Sequence, residues 1–488
     1  MTIQVKEFVI RDFERAQIDL YNKSGDFSDL YALLPSRSTP GRLQRAPGWS
    51  DFSAFVGFFD CEAIFYDVSS HYIVFLGIDA GDDLATYILD VSDWTFKGLT
   101  DIAGATGLEG LGGKRGRNVL WWENDLYLIG DDGTLYSGAT IVATVAQLDV
   151  DSFHCLCAYG DRIYGAKSDG SIERLNDAGN AMEAHWTATN TGFTWDFLTG
   201  YRGYLYGIAR NSVGTRLVVQ VDSAEAATPS FQVMAELHDT GIEPAKGCAY
   251  CQFGNYLYFM PGIMTSNIPG LGSVPTETAY ASIYRYRFST SGSLELVATI
   301  ECEPDDYFYL LPWRGYLLAA KLREEAATTI VFYNIHEDGG VSQAIPFTGN
   351  TDDADVIVHS THGYLLITAS VNDVQGAYYA GHNTGLQDAY VVTSRLDMGY
   401  PGKEKRLDRL TVHLDGAVAD FDVIIKYRTE ENTSWTTALT EAASRLVTIG
   451  DLGVSFHALQ IRVDLDDDTG NDCDYRINAI SVTYTIDA

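Results

Sequence analysis

Long apolar runs are missing from this sequence. No stretch of about 18 consecutive apolar residues occurs, so no membrane-spanning helix is expected. The opening MTIQVKEFVIRDFERAQIDLYNKSG mixes both charge signs and lacks the apolar core of a secretion signal, which predicts an unprocessed protein made inside the cell. Basic residues are scarce: 33 Lys and Arg stand against 66 Asp and Glu, a formal net charge of −33. Sequence-independent DNA binding draws its affinity from cations that neutralise phosphate, and this balance argues against it. DNA sliding past without sticking remains compatible, because an acidic wall repels it. Cysteines are few and odd in number: Cys61, Cys155, Cys157, Cys248, Cys251, Cys302 and Cys473. Their scatter does not fit a disulfide framework. The lone C-x-x-C at Cys248 and Cys251 has no second pair to complete a zinc site, so the cysteines read as small core residues.

Long helical periodicity is also scarce, whereas aromatic residues and glycine are abundant. The 30 Tyr, 22 Phe, 8 Trp and 46 Gly of this 488-residue chain favour β-structure with many turns. With 46% hydrophobic and 20% charged residues the chain is globular, and its length allows two or three domains.

One local pattern recurs. WWENDLYLIG, CAYGDRIYGA, TGYRGYLYGI, CQFGNYLYFM, LPWRGYLLAA and HSTHGYLLIT share a form, with VSSHYIVFLG a weaker copy. A short strand ends in a turn of Asn, Asp or Gly, and a second strand follows with an aliphatic residue and usually Tyr. The aliphatic anchors Ile73, Leu126, Ile163, Leu205, Leu257, Leu317 and Leu365 lie 37 to 60 residues apart. Four short antiparallel strands with turns occupy about 40–50 residues, the size of one propeller blade. DDGTLYSG and SDGSIERL add Asp-Gly hairpin turns. GIMTSNIPGLGSVPTETA reads as a surface loop inserted in the longest repeat.

The sequence therefore predicts an all-β chain: a six- or seven-bladed β-propeller over residues 50–392, with an extended N-terminal arm over 1–49. An array of β-sandwiches is the competing architecture. The arm would pack on a neighbouring subunit or complete the last blade. From Arg409 the pattern changes. RLTVHLDG, FDVIIKYRTE, SWTTALTE, HALQIRVDLDD and INAISVTYTIDA alternate apolar and polar residues, which predicts a small C-terminal antiparallel β-sandwich over 409–488. Between the two lies a linker, 393–408, that overlaps RLDMGYPGKEKRLDRL (Arg395–Leu410). With Arg395 before them, Lys403, Lys405 and Arg406 of this linker and Arg409 beyond it form a basic run in an acidic chain. They are the candidate residues of a domain joint or an interface to an acidic neighbour.

Motifs for chemistry do not close. TATNTGFTW is similar to the Asp-box hairpin of sialidase-like propellers through Asn190, Gly192, Thr194 and Trp195, with Ala188 where Ser is expected. That motif is a structural turn, and no arginine triad or carboxylate pair accompanies it. GLEGLGGKRG has Leu108 and Arg115 where a phosphate loop requires Gly and Ser or Thr. DLDDDTGNDCD places Thr469 and Tyr475 at the Gly and Glu positions of an EF-hand. No catalytic, cofactor or metal residue is assigned, and no enzymatic activity is expected.

A propeller followed by SRLDMGYPGKEKRLDRLTVHLDG and VIIKYRTEENTSWTTAL resembles tailed-bacteriophage virion proteins in which a phrase like T-x-x-L-D-x-G-x-P-x-x-x-K leads into a β-sandwich. Thr393, Leu396, Asp397, Gly399, Pro401 and Lys405 match it, and RLQRAPGW resembles the opening of such proteins. The resemblance implies a non-enzymatic structural part of a phage tail: a nozzle or head-to-tail protein. It would form a homo-oligomeric ring, six copies by tail symmetry, with an acidic channel surface for DNA passage. Its partners would be copies of itself, other tail or connector proteins, and DNA that passes unbound. Its place would be the virion, assembled in the bacterial cytoplasm. A host-glycan-binding tail module and a glycan-cleaving propeller are the competing functions.

Overall fold

In the computed structural model, residues 4 to 486 are described outside a set of segments, the longest being 11–26, 36–42, 103–109, 223–229, 238–248, 268–276, 381–388 and 467–475. The described residues form strands and turns and no helix. Cys248, Cys473, Asn190 and most of the inserted loop and of DLDDDTGNDCD lie outside them.

Successive stretches of chain fold into antiparallel meanders. The first sheet runs Phe59–Asp67, Tyr72–Asp79, Leu84–Asp90 and Thr95–Asp101. Next come Val119–Trp122 through Ala146–Asp149, Phe153–Tyr159 through Met182–Trp186, and Thr194–Tyr201 through Ser230–Leu237, each four strands in chain order. The fifth sheet, from Tyr250–Phe253 to Leu294–Cys302, gains an extra hairpin strand, Ile263–Asn267. The sixth runs from Tyr307–Trp313 to Val341–Thr351. In the last, Val358–Thr361, Tyr364–Val371 and Val374–Ala380 take their fourth strand from the other end of the chain, Ser50–Ala54.

The cores lie between neighbouring sheets, not within them. Val74 and Leu76 of the first sheet pack with Leu126 and Leu128 of the second. Tyr127 and Ile129 meet Phe153 and Ile163 of the third. Trp186 meets Trp195 and Leu205 of the fourth, and Phe197 and Tyr206 meet Leu257 and Phe259 of the fifth. Ala281 and Ile283 meet Leu310 and Leu317 of the sixth. Leu318 and Phe332 then join Leu365 and Ile367, which meet Ile73 and Phe75 of the first sheet. Each sheet is thus buried on both faces by its neighbours, and the ring closes. This is a β-propeller, in which radial repetition protects the edges.

The repeated turn joins the first and second strands of a blade. Arg202 and Gly203 have φ of 48° and 80°, and Arg314 and Gly315 have 49° and 81°. Two residues with positive φ are what a two-residue hairpin of matching twist needs, and glycine accepts that at no steric cost. The aromatic residue before the turn reaches the next blade. Tyr159 donates to the Gly203 carbonyl at 2.7 Å, and the Trp313 indole donates to the Gly363 carbonyl at 3.1 Å.

The ends of the chain differ from expectation. The described strands within residues 1–49 pair with other parts of this same chain. Gln4–Ile10 pairs antiparallel with Arg476–Ile486 over seven residues, and the hairpin Leu33–Pro35 and Leu43–Arg45 extends the same sheet. Phe27–Tyr31 pairs with Ala389–Thr393. The physical reason is a period-two pattern in QVKEFVI: Phe8 and Ile10 sit opposite Val482 and Ile480 and pack on the main core. The boundary at 392 also moves. Ala389–Thr393 belongs with the C-terminal strands through Leu459–Asp466, and Lys405 already opens the strand Lys405–Asp415. The blade-closing strand is Ser50–Ala54, which lies within the expected propeller range and not in the segment 1–49.

Two C-terminal sheets share a core of Leu407, Leu410 and Val412 from one and Ile425, Ile461 and Val463 from the other. The second of these sheets continues into the propeller. Tyr31 forms a parallel bridge to Gln343 of the sixth blade, so nine strands make one sheet across the joint.

Candidate functional site

The basic run comes first, because the sequence singled it out. The turn at 396–403 is over-determined by its own residues. Leu396 exchanges two backbone hydrogen bonds with Leu459, at 2.8 and 3.0 Å. Asp397 Oδ1 accepts from the Gly399 amide at 2.9 Å, and the Asp397 carbonyl accepts from Tyr400 at 3.0 Å. Met398, Gly399 and Gly402 have φ of 54°, 73° and 74°. Thr393 Oγ1 accepts from the Ile461 amide at 3.0 Å.

Lys405 is 1% exposed. Its ammonium donates to the carbonyls of Tyr400 and Lys403 at 2.8 Å and of His457 at 2.9 Å, and it sits 5.7 Å from the Phe456 ring centre. Burial lowers its pKa, opposed by the charges of Asp397 and Glu430. Lys405 therefore pins the turn to the neighbouring strand. Arg395, Lys403, Arg406 and Arg409 are exposed, and none makes an ion pair among the described residues. The structure separates the five candidates: one is a structural peg and four are surface cations.

The other sequence motifs are structural where they are described. Trp195 of the Asp-box-like stretch is fully buried, and a Cβ on Gly207 would lie 2.5 Å from its ring. In GLEGLGG, a Cβ on Gly112 would lie 2.2 Å from the Gly130 carbonyl oxygen, so the glycine permits a close backbone approach. Asp464 is held by Lys426 and Arg462, each at 2.6 Å. Cys61, Cys155, Cys157, Cys251 and Cys302 are buried, matching their reading as core residues.

A cavity of about 420 Å³ lies on the propeller axis, walled by the innermost strands of five blades. Its polar lining includes Glu62, Arg117, Asn118, Gln252, His359 and Ser360, and its apolar lining includes Ile64, Phe65, Leu310 and Val358. Arg117 reaches across: its guanidinium carbon lies 4.3 Å from the ring centre of Phe197, which stacks on Tyr250 at 4.8 Å. Burial pushes the His359 imidazole down to about 4, so it is neutral at pH 7. Glu62 accepts a hydrogen bond from the Leu111 amide. Beside the cavity, Asp196 is 1% exposed and lies 2.9 Å from Arg210 and 3.7 Å from Arg216, an ion-pair cluster between the fourth and fifth blades. Burial, reinforced by the Asp196 charge, raises the Tyr250 phenol.

Sequence reasoning missed these residues. Arg117 stands directly after GLEGLGGKRG, and Asp196 interrupts the apolar stretch TWDFL; each was readable only as a charge in a buried strand's neighbourhood.

No protein-family model matches the chain, and no curated protein matches it. Among solved structures, the mitotic checkpoint complex contains a chain similar at 10% identity, with a TM-score of 0.39 over 69% of this chain and 94% of that one. The N-terminal domain of Nup159 is similar at 10% identity, with a TM-score of 0.40 over 76% of this chain and 100% of that one. At these scores neither likeness bears on what this chain binds or does.

Proposed function

We propose that this chain is a non-enzymatic structural subunit of a tailed-bacteriophage virion, a nozzle or head-to-tail protein that forms a homo-oligomeric ring. In this reading the propeller has seven blades and the two C-terminal sheets form a sandwich. The observation that carries it is the nine-stranded sheet that crosses from the sixth blade into the C-terminal sheets. A wall subunit must resist shear between its domains. Backbone hydrogen bonds across the joint do this better than a flexible linker would, because they are directional and cooperative with both sheets. Gln4–Ile10 adds a strand to the other C-terminal sheet, through Arg476–Ile486. The charge of −33 supports passage of DNA along the wall without adhesion. The exposed Arg395, Lys403, Arg406 and Arg409 supply local cations for an acidic neighbour, either another copy or a connector protein. Symmetric assembly from one rigid unit is the common route to a closed ring.

Electron microscopy of whole particles from the source tests this. A ring of copies around the DNA path, with an acidic inner surface, is the expected result. A monomer absent from every particle overturns the reading and leaves a soluble glycan-binding propeller.

A further inference from the structure

Two residues that line the axial cavity, Arg117 and Asn118, each carry a buried side-chain atom whose hydrogen-bonding capacity is unspent. Arg117 Nε is buried and has no hydrogen-bond partner, and no carboxylate pairs with its guanidinium among the described residues. Asn118 is 2% exposed, and its Oδ1 is buried and accepts no hydrogen bond. A half-buried cation without a counter-ion and a buried orphan acceptor are both costly in a folded protein. One ligand carrying an anionic oxygen and a hydroxyl would satisfy both.

The rest of the lining narrows its class. His359 is neutral, so Arg117 is the only permanent cation among the described lining residues. Glu62 lies in the same wall with its carboxylate turned to the Leu111 amide, which disfavours a dianion such as phosphate. Ile64, Phe65 and Leu310 offer apolar surface for a carbon skeleton. The volume of about 420 Å³ falls within the range of small-molecule sites.

We propose that the axial cavity binds a hydroxylated organic acid, with its carboxylate on the Arg117 guanidinium and a hydroxyl donating to Asn118 Oδ1. The free acid and the acidic sugar of a larger glycan present the same groups. Binding here is independent of assembly into a ring, so this proposal and the preceding one fail separately.

Isothermal titration calorimetry on the full chain tests it, with sodium D-glucuronate, D-glucose and a glucuronate-containing oligosaccharide as probes. Glucuronate or the oligosaccharide gives saturable heat, and glucose gives none. Arg117→Met abolishes the heat, and Arg117→Lys, which keeps the charge but loses the planar fork, weakens binding about tenfold. Asn118→Asp, whose carboxylate would compete with that of the ligand for Arg117 and repel it, weakens it at least as much. Melting curves by circular dichroism establish that each variant is folded. If Arg117→Met does not fold, Arg117→Lys and Asn118→Asp decide the question. Heat from the monomer alone assigns the free acid, and heat from the oligosaccharide alone assigns the glycan. No heat from either acidic probe up to about 10 mM, equal heat from glucose, or unchanged affinity in the folded variants overturns the proposal.

Discussion

Replacing Lys405 by Met removes three hydrogen bonds and little volume. The ammonium bonds the carbonyls of Tyr400, Lys403 and His457 at 2.8, 2.8 and 2.9 Å in a site where the residue is 1% exposed. The Tyr400 carbonyl keeps a backbone donor, the Lys403 amide at 3.3 Å. The Lys403 and His457 carbonyls lose their ammonium donor, and a buried polar group left unsatisfied costs about 1–3 kcal/mol. Relief from burying a charge offsets part of this, since burial already lowers the Lys405 pKa. The net expectation is a loss of about 3 kcal/mol, local to the C-terminal sheets. Arg406→Ala and Arg409→Ala, exposed and unpaired among the described residues, should each change stability by less than about 0.5 kcal/mol. Because a multi-domain chain need not unfold in one step, a global melt is a poor reporter. Amide hydrogen exchange read by mass spectrometry resolves the region. In Lys405→Met, peptides covering 405–415 and 476–486 should exchange about a hundredfold faster, while peptides of the second to fourth blades should not change. Unchanged exchange at 405–415, or an equal effect from Arg406→Ala, refutes the assignment of Lys405 as the peg.

The His359 imidazole is held at about 4 against an ordinary 6.5, so the unfolded chain takes up its proton first on acidification. The stability from this group is complete above about pH 6.5 and falls away toward pH 4, by about 3 kcal/mol in all, so urea midpoints for His359→Gln should fall less steeply over that window than those of the parent. Burial pushes the thiols of Cys157 and Cys302 up to about 11 and about 12. A thiol reagent at pH 8 should therefore leave both unlabelled in the native chain and label both in denaturant; rapid native labelling would contradict the buried placement. Deleting residues 1–10 strips a seven-residue strand and the packing of Phe8 and Ile10. The C-terminal sheets should lose about 3–4 kcal/mol, measured by the same exchange assay, while the propeller persists. A truncated chain as stable as the parent would restore the idea of a detachable arm.

The propeller was legible because its repeat is turn chemistry. An aromatic residue, a turn with positive φ and a second strand recur because most of these turns carry a glycine at positive φ and the aromatic before the turn can reach the next blade, as Tyr159 reaches Gly203 and Trp313 reaches Gly363. The C-terminal strands were legible by their alternation. What hid was pairing at long sequence separation. Gln4–Ile10 is a short alternating strand with two charges, and nothing local says that its partner lies at Arg476–Ile486. The domain boundary failed for the same reason, since Ala389–Thr393 completes a sheet whose other strands come later in the chain. Lys405 was read as one of five equivalent cations because burial, which sets it apart, belongs to the tertiary fold.

The same geometry accounts for the residue types in the phrase from Thr393 to Lys405. Thr393 bonds the Ile461 amide, Leu396 bridges Leu459, Asp397 caps Gly399, and Lys405 closes the turn on three carbonyls. Gly399 supplies a φ of 73° that a β-branched residue would resist. These residue types are dictated by the backbone path between a propeller and the sheet that receives it. Residues that would discriminate among partners must then be sought elsewhere, on the exposed cations Arg395, Lys403, Arg406 and Arg409 that surround the turn without holding it.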